Sequence, residues 1–172
     1  MENKIKLPIR RLVEFIMRSG DIDSRYVEKD RMYEGAKAHR NIQKDNIKLY
    51  RDYKSEVSLS AEFDDGEISY TLEGRADGIF SDKGITVIDE IKTTVLPMNF
   101  IDEDFNSTHW AQAKCYAYIY AAQNDLTEIS VQLTYFNLDT NEIKRFIKSF
   151  KFDELKHFLT ELIQKYSVWA DF

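Results

Sequence analysis

The chain has 172 residues, 43% hydrophobic and 31% charged, with six glycines and two prolines, a composition that fits one packed domain and excludes a disordered or fibrous chain. No apolar run approaches the roughly 18 to 20 residues that span a bilayer, and the amino terminus lacks the apolar stretch of a secretory signal, so a cytoplasmic protein without membrane contact is expected. Cys115 is the single cysteine, which excludes an intramolecular disulfide and a four-cysteine zinc or iron–sulfur site; a bound metal must be held by oxygen or imidazole.

The net charge of -6 is unevenly spread. Nine Lys or Arg face five Asp or Glu between Arg25 and Lys54, whereas twelve acids face three bases between Ser60 and Asn106. Divalent cations would invert the field of such an acidic centre and let it receive a phosphate.

In chain order, the apolar spacing predicts a first helix from Pro8 to Ser19, with Pro8 in its first turn and Gly20 at its stop. A second helix is predicted from Val27 to Leu49, carrying Gly35 and His39. The pattern then changes to period two, with strands at Val57–Phe63, Ile68–Leu72, Ala76–Phe80 and Ile85–Ile91 and turns at Asp64-Asp-Gly66 and Asp82-Lys-Gly84. A helix from Ser107 to Gln123 has small alanines that let it lie close on a sheet, and Cys115 within it reads as a small packed residue. A hairpin of Ile129–Phe136 and Ile143–Phe150 follows. A last helix is predicted with Asp153 as its cap and Phe152 as a staple. The order of elements indicates an α/β fold in a single domain, residues 1–172, and the abrupt apolar end Trp169-Ala-Asp-Phe172 suits a domain cut from a longer polypeptide.

The informative cluster is Glu90-Ile-Lys92. On a strand these two side chains project from one face, about 6 to 7 Å apart, although alone such a pair is more often an ion pair than an active site. Asp77 precedes Glu90 by thirteen residues, an interval that fits a return through the Asp82–Gly84 turn. Asp77, placed at a turn between two strands, could then share a cation with Glu90. Two carboxylates, a backbone carbonyl and a substrate phosphate suit Mg2+, and a lysine beside the attacking water would offset the charge developing on phosphorus oxygens. The basic residues Lys37, Arg40 and Lys44 of the second helix are candidates for phosphate contacts.

These residues resemble the RecB-like branch of the PD-(D/E)XK nuclease superfamily, through Gly35-Ala-Lys-Ala-His39, Gly74-Arg-Ala-Asp77, Val87-Ile-Asp-Glu-Ile-Lys-Thr93 and Gln112-Ala-Lys-Cys-Tyr116, four motifs in family order. Ala76 stands where many relatives have proline, and Asp89 adjoins Glu90, which alone has the spacing to Lys92. The resemblance implies a restriction-endonuclease-like core, a mixed central sheet flanked by helices. It also implies a Mg2+- or Mn2+-dependent deoxyribonuclease without an iron–sulfur cluster. His39, Asp77, Glu90 and the Ile91 carbonyl would be metal ligands, Lys92 the catalytic lysine, and Gln112 and Tyr116 active-site supports. The segment Leu12–Asp23 is also similar to nuclease domains fused ahead of DinG-type helicases, which implies an exonuclease acting on single-stranded DNA with a covalently fused helicase in repair or processing. The alternative is a catalytically silent nucleic-acid-binding module with the same fold.

Overall fold

The computed structural model describes residues 4–17 and 29–169. Their elements are β1 (Lys4–Pro8), α1 (Ile9–Ile16), α2 (Lys29–Leu49), β2 (Lys54–Asp64), β3 (Ser69–Asp82), β4 (Ile85–Thr94), a 3-10 turn at Met98–Phe100, α3 (Ser107–Gln123), β5 (Glu128–Asn137), β6 (Ile143–Lys151) and α4 (Phe152–Trp169). The six strands form one mixed sheet in the order β1-β3-β4-β5-β6, with β2 paired to β3. Pairs β1–β3 and β4–β5 are parallel, and the others antiparallel. The parallel β4–β5 pair needs a crossover, which α3 supplies. None of the described helices is long and apolar enough to cross a membrane.

Helices α1, α3 and α4 cover one face of the sheet. Leu12, Val13, Ala113, Ala117, Leu155 and Leu159 belong to the main core with Ile88 of β4. Val87, on the opposite face of β4, packs with Tyr53 and Phe80 in a small second cluster. Alternation therefore turns Glu90 and Lys92 toward α3, and Asp89 and Ile91 toward α2. Asn106 caps α3, its side chain accepting from the amides of Thr108 and His109, the arrangement that satisfies otherwise orphaned helical donors.

Several expectations need correction. Residues Ile68–Leu72 and Ala76–Phe80 are not separate strands, and Asp77 is not at a turn: β3 runs unbroken from Ser69 to Asp82. It reads as two segments because its partners change, residues 69–73 pairing with β1 and residues 78–82 with β4. Strand β1 was not foreseen. Helix α1 starts after Pro8, which ends that strand, and it stops at Ile16 with Met17 as its C-cap, short of the expected Ser19, while Ser19 and Gly20 themselves lie outside the described residues. The last helix begins at Phe152, so Asp153 sits inside its first turn, where a carboxylate still favours the helix dipole.

The change of partner builds a fork. The β3–β4 ladder ends at Gly78↔Asp89, so Asp77 and Glu90 are the first residues beyond it. On the other side of β3 the register joins Ser55↔Gly78 and Val57↔Ala76 but omits the intervening pair Glu56 and Asp77. Glu56 has φ 53, a left-handed conformation that costs a non-glycine residue roughly 1 to 3 kcal/mol. Asp77 is thus released from both neighbouring strands, which frees its backbone and side chain for other partners.

Candidate active site

Helix α2 approaches the fork from the Asp89 face. Gly35 makes this possible: a Cβ there would lie 3.2 Å from Thr93 Oγ1, so glycine lets the helix pack closely on β4, and one turn later His39 reaches the fork. His39 Nε2 is 3.1 Å from Asp77 Oδ1, and its Nδ1 is 3.9 Å from Glu56 Oε1. The other oxygen of Asp77 accepts from the Ile91 amide at 2.7 Å, tying the two branches of the fork together. Gln43, one turn beyond His39, donates to the Asp77 carbonyl at 2.8 Å and to Glu56 Oε1 at 3.0 Å. Arg75 holds the second Glu56 oxygen at 2.9 Å.

From the α3 face, Lys92 Nζ lies 3.3 Å from Glu90 Oε1 and donates to Gln112 Oε1 at 3.2 Å. Gln112 in turn donates to the Tyr116 hydroxyl at 2.8 Å. The second glycine motif serves this relay: a Cβ on Gly74 would fall 2.3 Å from Tyr116 Cε1. Gly74→Ala is therefore expected to destabilise the fold by about 1 to 3 kcal/mol through overpacking, and to displace Tyr116 with its Gln112 contact. Thermal unfolding checks the first effect; full stability with wild-type Tyr116 packing would contradict it.

His39, Asp77, Glu90, Lys92, Gln112 and Tyr116 line one cavity of about 340 Å³, with Ile91 and Glu56 beside them. It adjoins a larger cleft of about 660 Å³, and the two share Arg10, His39, Glu56, Ile91 and Lys92. Of the three basic candidates on α2, Arg40 lines the larger cleft, whereas Lys37 and Lys44 are exposed and line neither cavity. Asp89 lines neither cavity and is turned to β5, accepting from Thr134 at 2.7 Å and Gln132 at 3.1 Å. Glu56, Gln43, Arg75 and Arg10 were not read from the sequence. Gln43 had a usable signal, its i+4 spacing from His39. Glu56 had none, because its left-handed backbone is a tertiary effect.

The donors fit a hard divalent cation. Ligand atoms of His39, Glu56 and Asp77 lie within 4.8 Å of one another, and Glu90 Oε2 is a buried oxygen with no hydrogen-bond partner among the described residues. Carboxylate and imidazole donors of this kind suit Mg2+ or Mn2+. Electrostatics agree: burial, then the Asp77 charge, push Glu90 up to about 8 against the pull of Lys92. Burial also raises Asp89 to about 6. For His39, burial works downward, but the hydrogen bond and charge of Asp77 outweigh it and leave its pKa raised.

Each shift has the same consequence for metal-free protein. The folded state holds protons that the unfolded chain has released, so stability falls as pH rises from about 4.5 to about 8, the window set by Glu90. His39 adds to the fall as pH passes through its raised value. Metal ligation requires these protons to leave, so metal affinity rises over the same window. Unfolding temperatures measured with chelator across that range should decline, and the stabilisation by manganese should grow; a flat profile in both would contradict the shared site.

A family model of the PD-(D/E)XK nuclease superfamily matches residues 15–170. No curated protein matches the chain. Among solved structures, "Crystal structure of SSO0001" is similar with a TM-score of 0.57 and 18% identity, covering 95% of this chain and 78% of that one, a likeness of fold.

Proposed function

Because the chain belongs to the PD-(D/E)XK nuclease superfamily, we propose that it is a Mg2+- or Mn2+-dependent deoxyribonuclease of the RecB-like branch. The observation that carries this reading is the convergence of His39, Asp77 and Glu56 on one point beside the Lys92–Glu90 pair and its orphaned carboxylate oxygen. His39, Asp77, Glu90 and Glu56 would hold the metal, with the Ile91 carbonyl as a further donor. When bound, the ion lowers the pKa of water and neutralises phosphate charge.

The protein's own groups do the rest. Lys92, steadied by Gln112, offers its ammonium to the charge that develops on the phosphorus oxygens. Tyr116 fixes the Gln112 amide so that its oxygen points at Lys92. Gln43 and Arg75 hold Glu56, and Asp77 clamps the fork through the Ile91 amide, so the donors are positioned before metal arrives. Arg10 and Arg40 place positive charge along the cleft for the flanking phosphates. The resemblance of the amino-terminal segment to helicase-fused nucleases extends the proposal to exonuclease action on single strands delivered by a helicase in DNA repair or processing. Purified protein should shorten end-labelled DNA only when Mg2+ or Mn2+ is supplied; degradation that survives chelation would overturn the proposal.

A further inference from the structure

Helix α2 has two unlike faces. Its inner side is seated by buried Ala38, Ile42 and Asn46, so its outer side is not needed to hold it. That outer side nevertheless carries large apolar groups at the end of the helix that borders the cleft: Met32 is 64% and Tyr33 71% exposed. Tyr33, Ala36 and Arg40 follow at i, i+3 and i+7, and so share one stripe, with Met32 one turn from Ala36. Met32, Ala36 and Arg40 line the larger cleft together with Arg10 and Lys92. Among the described residues Arg40 makes no ion pair, whereas Arg31 on the same wall is bound by Asp139 at 2.6 Å and Glu34 at 3.1 Å.

The geometry points to this stripe as a track for unpaired bases, with Tyr33 and Met32 stacking on bases and Arg40 meeting the backbone of a single strand that enters the metal site. The inference rests on the nuclease reading for what lies at the end of the track. An exposed ring and thioether beside a free guanidinium suit a π-faced, phosphate-linked chain, and stacking is available only where bases are unpaired. A duplex hides those faces and presents phosphates alone. Continuity with the cleft favours a nucleic acid over a protein, because Met32, Ala36 and Arg40 of the stripe line the same cleft as Lys92, where a phosphate-linked chain would be cut.

The test is fluorescence anisotropy, without added metal, of a labelled single-stranded oligonucleotide and of its duplex. Tyr33→Ala should weaken single-strand binding about ten-fold and duplex binding far less. Tyr33→Phe should restore the affinity, and Leu49→Ala, exposed on the other side of the helix, should match wild type. Equal loss on both substrates, or none on either, overturns the inference, and indifference to Tyr33 is also what a protein-docking stripe would give. Cleavage assays with manganese separate the two readings. Tyr33-dependent binding without cleavage removes the nuclease and keeps the track; cleavage with Tyr33-independent binding does the reverse.

Discussion

Lys92→Ala is expected to slow cleavage of bound DNA by about 10²- to 10³-fold, the size of effect seen when a preorganised stabilising group at a reacting centre is removed. Lys92 bridges Glu90 at 3.3 Å and Gln112 at 3.2 Å, with only 20% of its side chain exposed, and a neutral water in its place would carry no positive charge to the reacting phosphate. The same substitution removes the cation that holds Glu90 down, leaving burial and Asp77 to raise it further. Metal should therefore bind more weakly at neutral pH and recover as pH rises. The fold should survive, since Glu90 can take a proton instead of standing as an unpaired buried charge. Single-turnover rates at saturating manganese isolate the chemical defect; a rate within ten-fold of wild type would remove Lys92 from the reaction.

Asp77→Asn is expected to cost as much by a different route. Asparagine keeps the shape and can still accept from the Ile91 amide, but it takes away the charge on which the donor set converges. Metal affinity should fall by about 100-fold or more, and cleavage by about 10³-fold. Two titrations should move with it. His39 loses the hydrogen bond and charge that raise it, and Glu90 loses the second cause of its own rise, so both should titrate lower than in wild type. NMR of the His39 ring reads the first shift directly. An unchanged His39 titration would mean that the 3.1 Å contact with Asp77 does not persist in solution.

The parts legible in the sequence were those with short-range causes. Helix α3 is legible at Ser107–Gln123, as observed, because its small residues and its helical spacing are local signals, and its Asn106 cap is a feature of the structure. The Glu90–Lys92 pair followed from strand alternation, and the structure places both in the cavity with Asp77, His39, Gln112 and Tyr116. The two motif glycines acquire physical reasons only in three dimensions, since Thr93 and Tyr116, which crowd Gly35 and Gly74, lie 58 and 42 residues away respectively. Illegible were the features created by strands parting company. Strand β3 changes partner near Gly74 without breaking, so its sequence resembles two strands and a turn. Glu56 enters the site because the β2–β3 ladder skips it, and no side-chain pattern encodes that.

Calorimetric titration of manganese at about pH 8, where the site's protons are leaving, addresses the central claim that Asp77 and its neighbours hold a divalent ion. Wild-type protein should bind manganese with proton release, and Asp77→Asn should show little or no binding under the same conditions. Equal binding by both proteins, or by neither, would contradict the account.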